Sequence, residues 1–531
     1  MSVITLPYSE TGYFSTLICD YLEKDPALEG FYHREAALSS FKAQLEEKRA
    51  QFTTDQRKVL ATRLLTQYKD LPLSQATLSN IDMLKESNSF TITTGHQLNL
   101  FSGPLYFLYK IISVINLAET LSATHPNDHF IPVFWMATED HDFEEINYFN
   151  LFGKKVAWEK TSKGAVGRMA TEGLGDLLPK LKEAWGESDT GRKLLSLFSE
   201  AYTQHPTLAD ATRFLANALF GQYGLVIIDG DDAELKKQFI PYVEKELTQN
   251  QSFRHITETT RKLTDLGYPE QVHPREINLF YLKDGLRERI IERDGTYFIN
   301  ETRQSFNIEE LRAELHAHPE RFSPNALLRP LYQEIILPNL CYVGGGGELA
   351  YWFQLKDYFD SVKISFPILL LRNSVLLLPK QLSEKLTRMN VPIKDLFQSP
   401  SALRTKYTHQ LSNIEIDFSP QRAHLQQQFK ELYDLAEKTD ASFIGAVAAQ
   451  EKKQLNGLDH LEKRLLKAQK RKLEDALYRL STLQSHLFPQ QSLQERHTNF
   501  SEFYLAHGEN LLFELKEKLD PLRPEFTIIT L

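Results

Sequence analysis

Five carboxylates and an imidazole crowd into the stretch ATEDHDFEEIN: Glu139, Asp140, His141, Asp142, Glu144 and Glu145. They follow directly on the apolar run IPVFWMA, Ile131 to Ala137. Such groups at a strand's carboxyl end can orient a sugar hydroxyl, accept a proton from an amine, or hold Mg²⁺ carried by a nucleotide. A helix starting just beyond them would draw acidic residues into its first turn for its dipole alone. That accounts for Glu144 and Glu145 better than for Asp140, His141 and Asp142, which are the catalytic candidates. One histidine among carboxylates lacks the nitrogen and sulfur set of a zinc site, so no metal held by the protein itself is expected.

A second group lies in TGHQLNLFSGPLY, where Thr94 and Gly95 close a strand and Ser102, Gly103 and Pro104 open a helix. Glycines admit close backbone approach, a helix N-terminus favours an anion, and His96 or Gln97 can donate to phosphate oxygens. A tight strand-to-helix turn explains the same residues without a ligand. Neither GxGxxG nor GxxxxGKS occurs. A third group is SPNALLRPLYQEIILPNLCYVGGGGELAYWFQLK, which carries Asn325, Arg329 and the glycine run Gly344 to Gly347. Gly345 and Gly346 can fold backbone against a ligand, with Glu348 and Tyr351 following on a helix start. Arg329 and Arg372 each sit among apolar residues. A guanidinium there is either paired inside the protein or holds an anion. Cys341, in an apolar stretch, reads as a small buried residue.

The elements that must position these residues form an α/β pattern. SFTITTG from Ser89, the apolar helix PLYFLYKIISVINLAETL and IPVFWMA make a βαβ unit, parallel and right-handed, which gathers ligands at the carboxyl ends of its strands. GLVIIDG and VKISFPILLLRNSVLLL supply further buried strands. The short alternating runs around Asp284-Gly285 and Asp294-Gly295 read as β-hairpins, an insertion at about 270–300. The expected layout is a helical segment over 1–88, a Rossmann-like core over 89–380, a helical and coiled-coil domain over 381–489, and a C-terminal helix and strand over 490–531 that return to the core. In the coil, Leu425, Phe429, Leu432 and Ala436 take heptad spacing, and Leu473, Ala476, Leu480, Leu483 and Leu487 continue it. The two helices would be roughly 28 and 69 Å long. They cannot fully cover each other, so an earlier helix or a second copy must complete the seam; a homodimer is the favoured reading. The basic run Lys463 to Lys472 reads as a solvated face of this coil.

At 531 residues the chain exceeds what one core supports, and 42% hydrophobic with 25% charged residues is ordinary for a globular protein. A net charge of −9 argues against a nucleic-acid partner. Cys19 and Cys341 are the only cysteines and neither a disulfide framework nor a zinc site follows, which fits a cytoplasmic protein. No secretion signal and no membrane-spanning run is read.

Taken in order, TGHQLNLFSGPLYFLYK, PVFWMATEDHDFEEIN, FSPNALLRPLYQEIILPNL and YVGGGGELAYWFQLK, with KRLLKAQKRK and SLQER later, resemble the bacillithiol biosynthesis cysteine-adding enzyme family over nearly the whole chain. The resemblance implies a ligase that joins the cysteine carboxyl group to the glucosamine amine of glucosaminyl-malate, on a Rossmann-like core whose coiled coil supports dimerisation. That core is similar to the catalytic domain of class I aminoacyl-tRNA synthetases, where histidine-containing turns act on an adenylate. His96 occupies the corresponding turn, although the twin-histidine form is absent. Amide formation from a free carboxylate in water is uphill, so ATP is expected as activator, with Mg²⁺ accompanying the nucleotide. On this reading phosphate or adenylate sits at Thr94 to Gly103 and the glycine run. Asp140, His141 and Asp142 bind the acceptor sugar and take the amine proton, and Arg329 and Arg372 hold malate carboxylates or phosphate charge. The alternatives are a metal-dependent hydrolase using Glu139 to Asp142, and a non-enzymatic coiled-coil adaptor. All of this requires the strand ends at Thr94 and Ala137 to share one rim.

Overall fold

Apolar runs without polar alternation suit a sheet covered on both faces, and five of them pair in parallel. They are β1 (Ser89–His96), β2 (His129–Met136), β3 (Val226–Asp229), β4 (Asn339–Gly344) and β5 (Ile368–Leu371). The computed structural model describes residues 2–531. The spatial order is β3-β2-β1-β4-β5, so the direction of winding reverses between β1 and β4. This is the Rossmann-like arrangement, and a crevice opens at the carboxyl ends of the strands beside such a reversal. β1 and β2 pair in register from Ser89↔His129 to His96↔Met136, which puts the loops after His96 and Met136 on one rim as expected. The connecting helix Tyr106–Thr124 is apolar on nearly every side and correspondingly buried.

The first 88 residues are not helix alone. Helices Leu38–Gln51, Thr54–Gln67 and Gln75–Met83 are present, but a strand at Val3–Pro7 precedes them. It pairs antiparallel with the C-terminal strand Glu525–Thr530, which also neighbours Val375–Leu378. The returning terminal strand therefore completes a separate three-stranded sheet rather than the parallel one. VKISFPILLLRNSVLLL is correspondingly divided, Ile368–Leu371 entering one sheet and Val375–Leu378 the other, with Arg372, Asn373 and Ser374 between them. The hairpins Leu279–Lys283, Leu286–Arg293 and Thr296–Ile299 are joined by Ser305–Phe306 and Phe322–Pro324 into a five-stranded antiparallel sheet, wider than the insertion expected at 270–300. Their turns use positive φ at Gly285 (71°), Asp294 (51°) and Gly295 (79°), as Asp-Gly hairpins require.

The chain divides into two compact units, residues 1–377 with 493–529, and 378–492 with 530–531. In the second, helices Ser419–Ala436 and Ala441–Lys472 close on a small core of Phe429, Ala436 and Val447 with Leu425 and Tyr433 against it. Asp440 caps the longer helix by accepting from the backbone N–H of Ser442 and Phe443. The single rod to Leu487 is not formed: Leu473 (φ −98°, ψ 13°) interrupts it, and a separate helix Glu474–Leu487 buries Leu477, Leu480, Leu483 and Leu487. Helix Pro400–Leu411 supplies the missing partner for that part of the seam, with Arg404 paired to Glu474 at 2.8 Å and Lys470 Nζ donating to Thr405 Oγ1 at 2.7 Å. The expected helix at 502–519 is likewise two, Ser501–His507 and Asn510–Lys518, parted at Gly508 (φ 58°, ψ −145°). Among the described residues no helix is long and apolar enough to cross a membrane.

Candidate functional site

The loop after β2 forms one wall of a cavity of ≈ 360 Å³ that contains Asp140, His141 and Asp142. The opposite wall comes from the hairpin sheet through Phe280 and Arg287, from Arg329 at the start of helix Arg329–Ile336, and from Tyr351 in the last turn of helix Gly346–Phe353. The βαβ unit thus delivers acids and imidazole, and the insertion delivers a cation to face them.

Asp140 is held from both sides. Its Oδ1 accepts the His141 N–H at 2.7 Å, and its Oδ2 accepts Gln97 Nε2 at 2.9 Å. Gln97 also donates to Glu145 Oε2 at 3.0 Å, so the loop after β1 locks the loop after β2. Arg287 Nη1 donates to His141 Nδ1 at 2.7 Å. Guanidinium can only donate, so that ring nitrogen is the acceptor and the imidazole carries its hydrogen on Nε2. Nε2 lies 3.9 Å from Asp142 Oδ1. Arg287 also stacks over Phe280 at 4.0 Å, and burial lowers its pKa against the raising effect of Glu139, Asp140 and Asp142. Asp142 has its pKa raised, first by desolvation and then by Asp140 beside it. An exposed carboxylate of raised pKa, with no hydrogen-bond donor of the described residues on its oxygens, is suited to take a proton from an ammonium or amine.

The carboxylates and imidazole of Asp140, His141 and Asp142 converge within 4.8 Å. A cation bound through His141 Nδ1 would compete with Arg287, whereas His141 Nε2 faces Asp142 and makes no contact with that guanidinium. Glu139 does not join them: its carboxylate is 2.5 Å from Lys236 Nζ in a buried pair.

Arg329 lines the cavity with Nη1 bonded to Gln333 at 2.9 Å and with a buried Nη2 that has no acceptor. It stands near the Trp135 and Tyr342 rings, 5.8 and 5.5 Å from their centres, and forms no ion pair with a carboxylate of the described residues. It keeps its standing as an anion-holding candidate. Asn325 reaches the same wall, but its amide is used internally: it accepts from the N–H of Leu327 and Leu328 and donates to Asn278.

Several expected ligand contacts are used for packing instead. Thr94 Oγ1 donates to the Val343 carbonyl at 2.7 Å between two strands of the sheet. Gly95 makes room for the Tyr342 hydroxyl, 3.3 Å from where a Cβ would lie, and its carbonyl accepts from Lys110 Nζ at 2.6 Å. His96 is buried at 6% exposure, its ring against Tyr106 and Phe107, outside the cavity of Asp140 to Asp142. Burial and the nearby charges of Lys110 and Arg372 hold its pKa well below the usual histidine value, so it is a neutral core residue. Ser102, Gly103 and their neighbours form no open anion cradle, since the Phe101 N–H goes to Tyr202, the Gly103 N–H to Leu100 and both segment carbonyls to Asn499. Gly103 takes φ 62° and ψ −134°, and a Cβ there would lie 2.6 Å from Asn99 Cβ. Gly103→Ala is therefore expected to destabilise the protein by about 1–3 kcal/mol through backbone strain, read as a lowered thermal unfolding midpoint.

The glycine run is a strand-to-helix junction. Gly345 caps helix Gly346–Phe353, whose Glu348 folds back on the Gly345 N–H, and a Cβ at Gly346 would approach Ile18 at 3.4 Å. Glu348 binds Lys110 Nζ at 2.5 Å and the Tyr342 hydroxyl at 2.7 Å. Burial opposes its ionisation, but Lys110 more than offsets that and lowers its pKa. Of this run only Tyr351 lines the cavity. Arg372 is internal as well, paired with buried Glu495 at 2.8 Å and bonded to Asn373 O and Ser374 Oγ. It holds the strand junction to the segment SLQER and does not line the cavity of Asp140 to Asp142.

Arg287, Phe280 and Lys110 went unread in the sequence. The hairpin alternation shows Arg287 only as one basic residue of LRERIIER, and nothing local tells which face the sheet turns to the core. Below the cavity, Thr138 Oγ1 bonds to Asp229, whose pKa is raised to about 6 by burial and by Asp231. A carboxyl whose folded pKa is raised stabilises the fold fully below the unfolded value near 4 and loses that contribution as pH rises through 6. Asp229→Asn is expected to remove this downward slope of stability between pH about 4 and 6, measured as thermal midpoint against pH.

Comparison with known proteins agrees with this architecture. Residues 1–373 match the family model described as "Bacillithiol biosynthesis BshC, N-terminal Rossmann-like domain", and residues 375–531 the one described as "Bacillithiol biosynthesis BshC, C-terminal coiled-coil domain". Relatives from Christiangramia forsetii and Flavobacterium johnsoniae are each 54% identical; both alignments cover 99% of this chain, with 98% and 99% of the respective relatives. A relative from Cytophaga hutchinsonii is 38% identical over 98% of this chain and 97% of its own. All three carry the words "cysteine ligase BshC" in their names.

Proposed function

This chain belongs to the bacillithiol biosynthesis BshC family and is a ligase of that biosynthesis, and from that premise we propose that it joins the carboxyl group of cysteine to the glucosamine amine of glucosaminyl-malate with ATP as activator. The observation that carries the proposal is the pairing, in one cavity, of a carboxylate with raised pKa and a guanidinium with an unused buried donor, Asp142 and Arg329. Asp142 takes the proton of the attacking amine. Arg329 Nη2 holds an anionic oxygen, whether of malate or of phosphate. His141 and Arg287 keep Asp142 and Asp140 in place across the cavity. ATP, when bound, supplies the leaving group on the cysteine carboxyl, and Mg²⁺ would arrive with the nucleotide; Arg329 is the residue whose chemistry fits that charge. The amine nitrogen then forms the amide bond, the leaving group departs with its electron pair, and the proton ends on Asp142.

The test is mass spectrometry of purified protein supplied with cysteine, glucosaminyl-malate and ATP. The conjugate with ADP or AMP is the expected product set. Absence of conjugate with all three present overturns the proposal.

A homodimer through the second unit is part of the same reading. Leu432, Leu435, Phe443 and Ile444, around the turn between the two long helices, are each more than a third exposed, and a second copy of the coil would cover them. Sedimentation of the full chain should give a dimer that Leu435→Glu with Phe443→Glu converts to monomer; a monomeric unmodified protein rules the dimer out.

A further inference from the structure

A second cavity, of ≈ 280 Å³, lies beside the first in the same unit and is lined in part by Gln97, Asn99, Glu145, Asn150, Arg496 and His497. It is below the size range of sites for drug-like ligands, so its occupant is small. The wall between the two cavities includes Gln97, whose Nε2 touches Asp140 on one side and Glu145 on the other. Two charged side chains of opposite sign reach this space, and among the described residues neither has an ion-pair partner. Glu145 accepts only that Gln97 amide, and Arg496 has no hydrogen-bond acceptor. Burial and Arg496 lower the pKa of His497, so the guanidinium is the cation of the cavity at neutral pH. Asn99 adds a third feature. Its Nδ2 donates to the Glu145 carbonyl at 3.3 Å, which fixes the amide and leaves a buried Oδ1 without a donor.

A carboxylate and an unsatisfied amide oxygen suit an ammonium, which brings three N–H donors, while a free guanidinium suits a carboxylate through paired bonds. Both poles close together in a small cavity describe one ligand class. We propose that this second cavity is the receptor for a zwitterionic α-amino acid, with Glu145 and Asn99 taking its ammonium and Arg496 its carboxylate. Resting on the ligase reading above, that amino acid is cysteine, presented one side chain away from the chamber of the acceptor amine.

The test is calorimetric titration of the full chain with L-cysteine, with cysteamine, which lacks the carboxylate, and with N-acetylcysteine, which lacks the ammonium. Both truncated ligands should bind at least tenfold more weakly than cysteine. Arg496→Met should weaken cysteine at least tenfold and abolish the preference over cysteamine, and Glu145→Gln should do the same for the preference over N-acetylcysteine. Arg496 is exposed and unpaired, so its loss leaves the fold intact. Unchanged cysteine affinity in both variants, or no cysteine binding by the unmodified chain, overturns the assignment. The two readings separate cleanly. Conjugate formation with unaltered cysteine affinity in both variants defeats this site and leaves the ligase, whereas the expected binding pattern without any conjugate supports this site and defeats the ligase.

Discussion

Asp142→Asn should slow conjugate formation by roughly 10²–10⁴-fold, the range that a positioned general base contributes, with the thermal midpoint unchanged because the side chain is exposed and spans no buried contact. Asparagine keeps the shape and loses the proton acceptor. In the unmodified protein the rate should fall as pH drops through a value above the ordinary carboxylate range, since desolvation and Asp140 raise the Asp142 pKa. That acid limb should vanish in the variant. His141→Ala should cost less, about tenfold, because its Nδ1 lone pair is already occupied by the Arg287 guanidinium and its Nε2 carries the hydrogen, so neither nitrogen is open to accept a proton. Steady-state rates for the two variants settle the order: if His141→Ala is the more damaging and Asp142→Asn retains the acid limb, the imidazole and not the carboxylate removes the proton.

Arg372→Met should destabilise the protein by about 3–5 kcal/mol, the usual cost of stripping one partner from a buried ion pair. Glu495 would remain with no exposure and only the Val375 N–H to satisfy it. Burial works against the Arg372 charge, yet Glu495 beside it more than compensates and raises its pKa. Pairing the change with Glu495→Gln should restore a large part of the loss, because the unpaired charge disappears. Thermal unfolding of the single and double variants measures both effects. Were Arg372 a ligand contact, the single variant would unfold normally and raise KM instead.

These two arginines show how much of the site was readable. Arg329 and Arg372 look alike in sequence, each a guanidinium among apolar residues, and the same two explanations apply to both. The tertiary structure separates them because Glu495, more than a hundred residues later, folds against one and no carboxylate reaches the other. Asp140, His141 and Asp142 were legible because they sit at the end of a strand whose apolar run is unmistakable. Thr94, His96, Ser102 and Gly103 carried a signal of equal strength, but it was the signal of a tight turn, and none of the four lines the cavity of Asp140 to Asp142. Arg287 was hidden, since only the packing of the hairpin sheet brings it opposite His141.

The sequence by itself determined the classes of element and their periodicity: the parallel strands, the βαβ unit with its shared rim, the Asp-Gly hairpins and the heptad stretches. Those follow from local patterns of apolar spacing and turn chemistry, which act over a few residues. Which polar groups would face one another was decided only by the tertiary structure. Pairing across the rim, the coverage of the coil seam by Pro400–Leu411 and the meeting of Val3–Pro7 with Glu525–Thr530 all join residues far apart in the chain. A charge is satisfied by whatever neighbour packing brings to it, and that neighbour leaves no mark in the residues on either side.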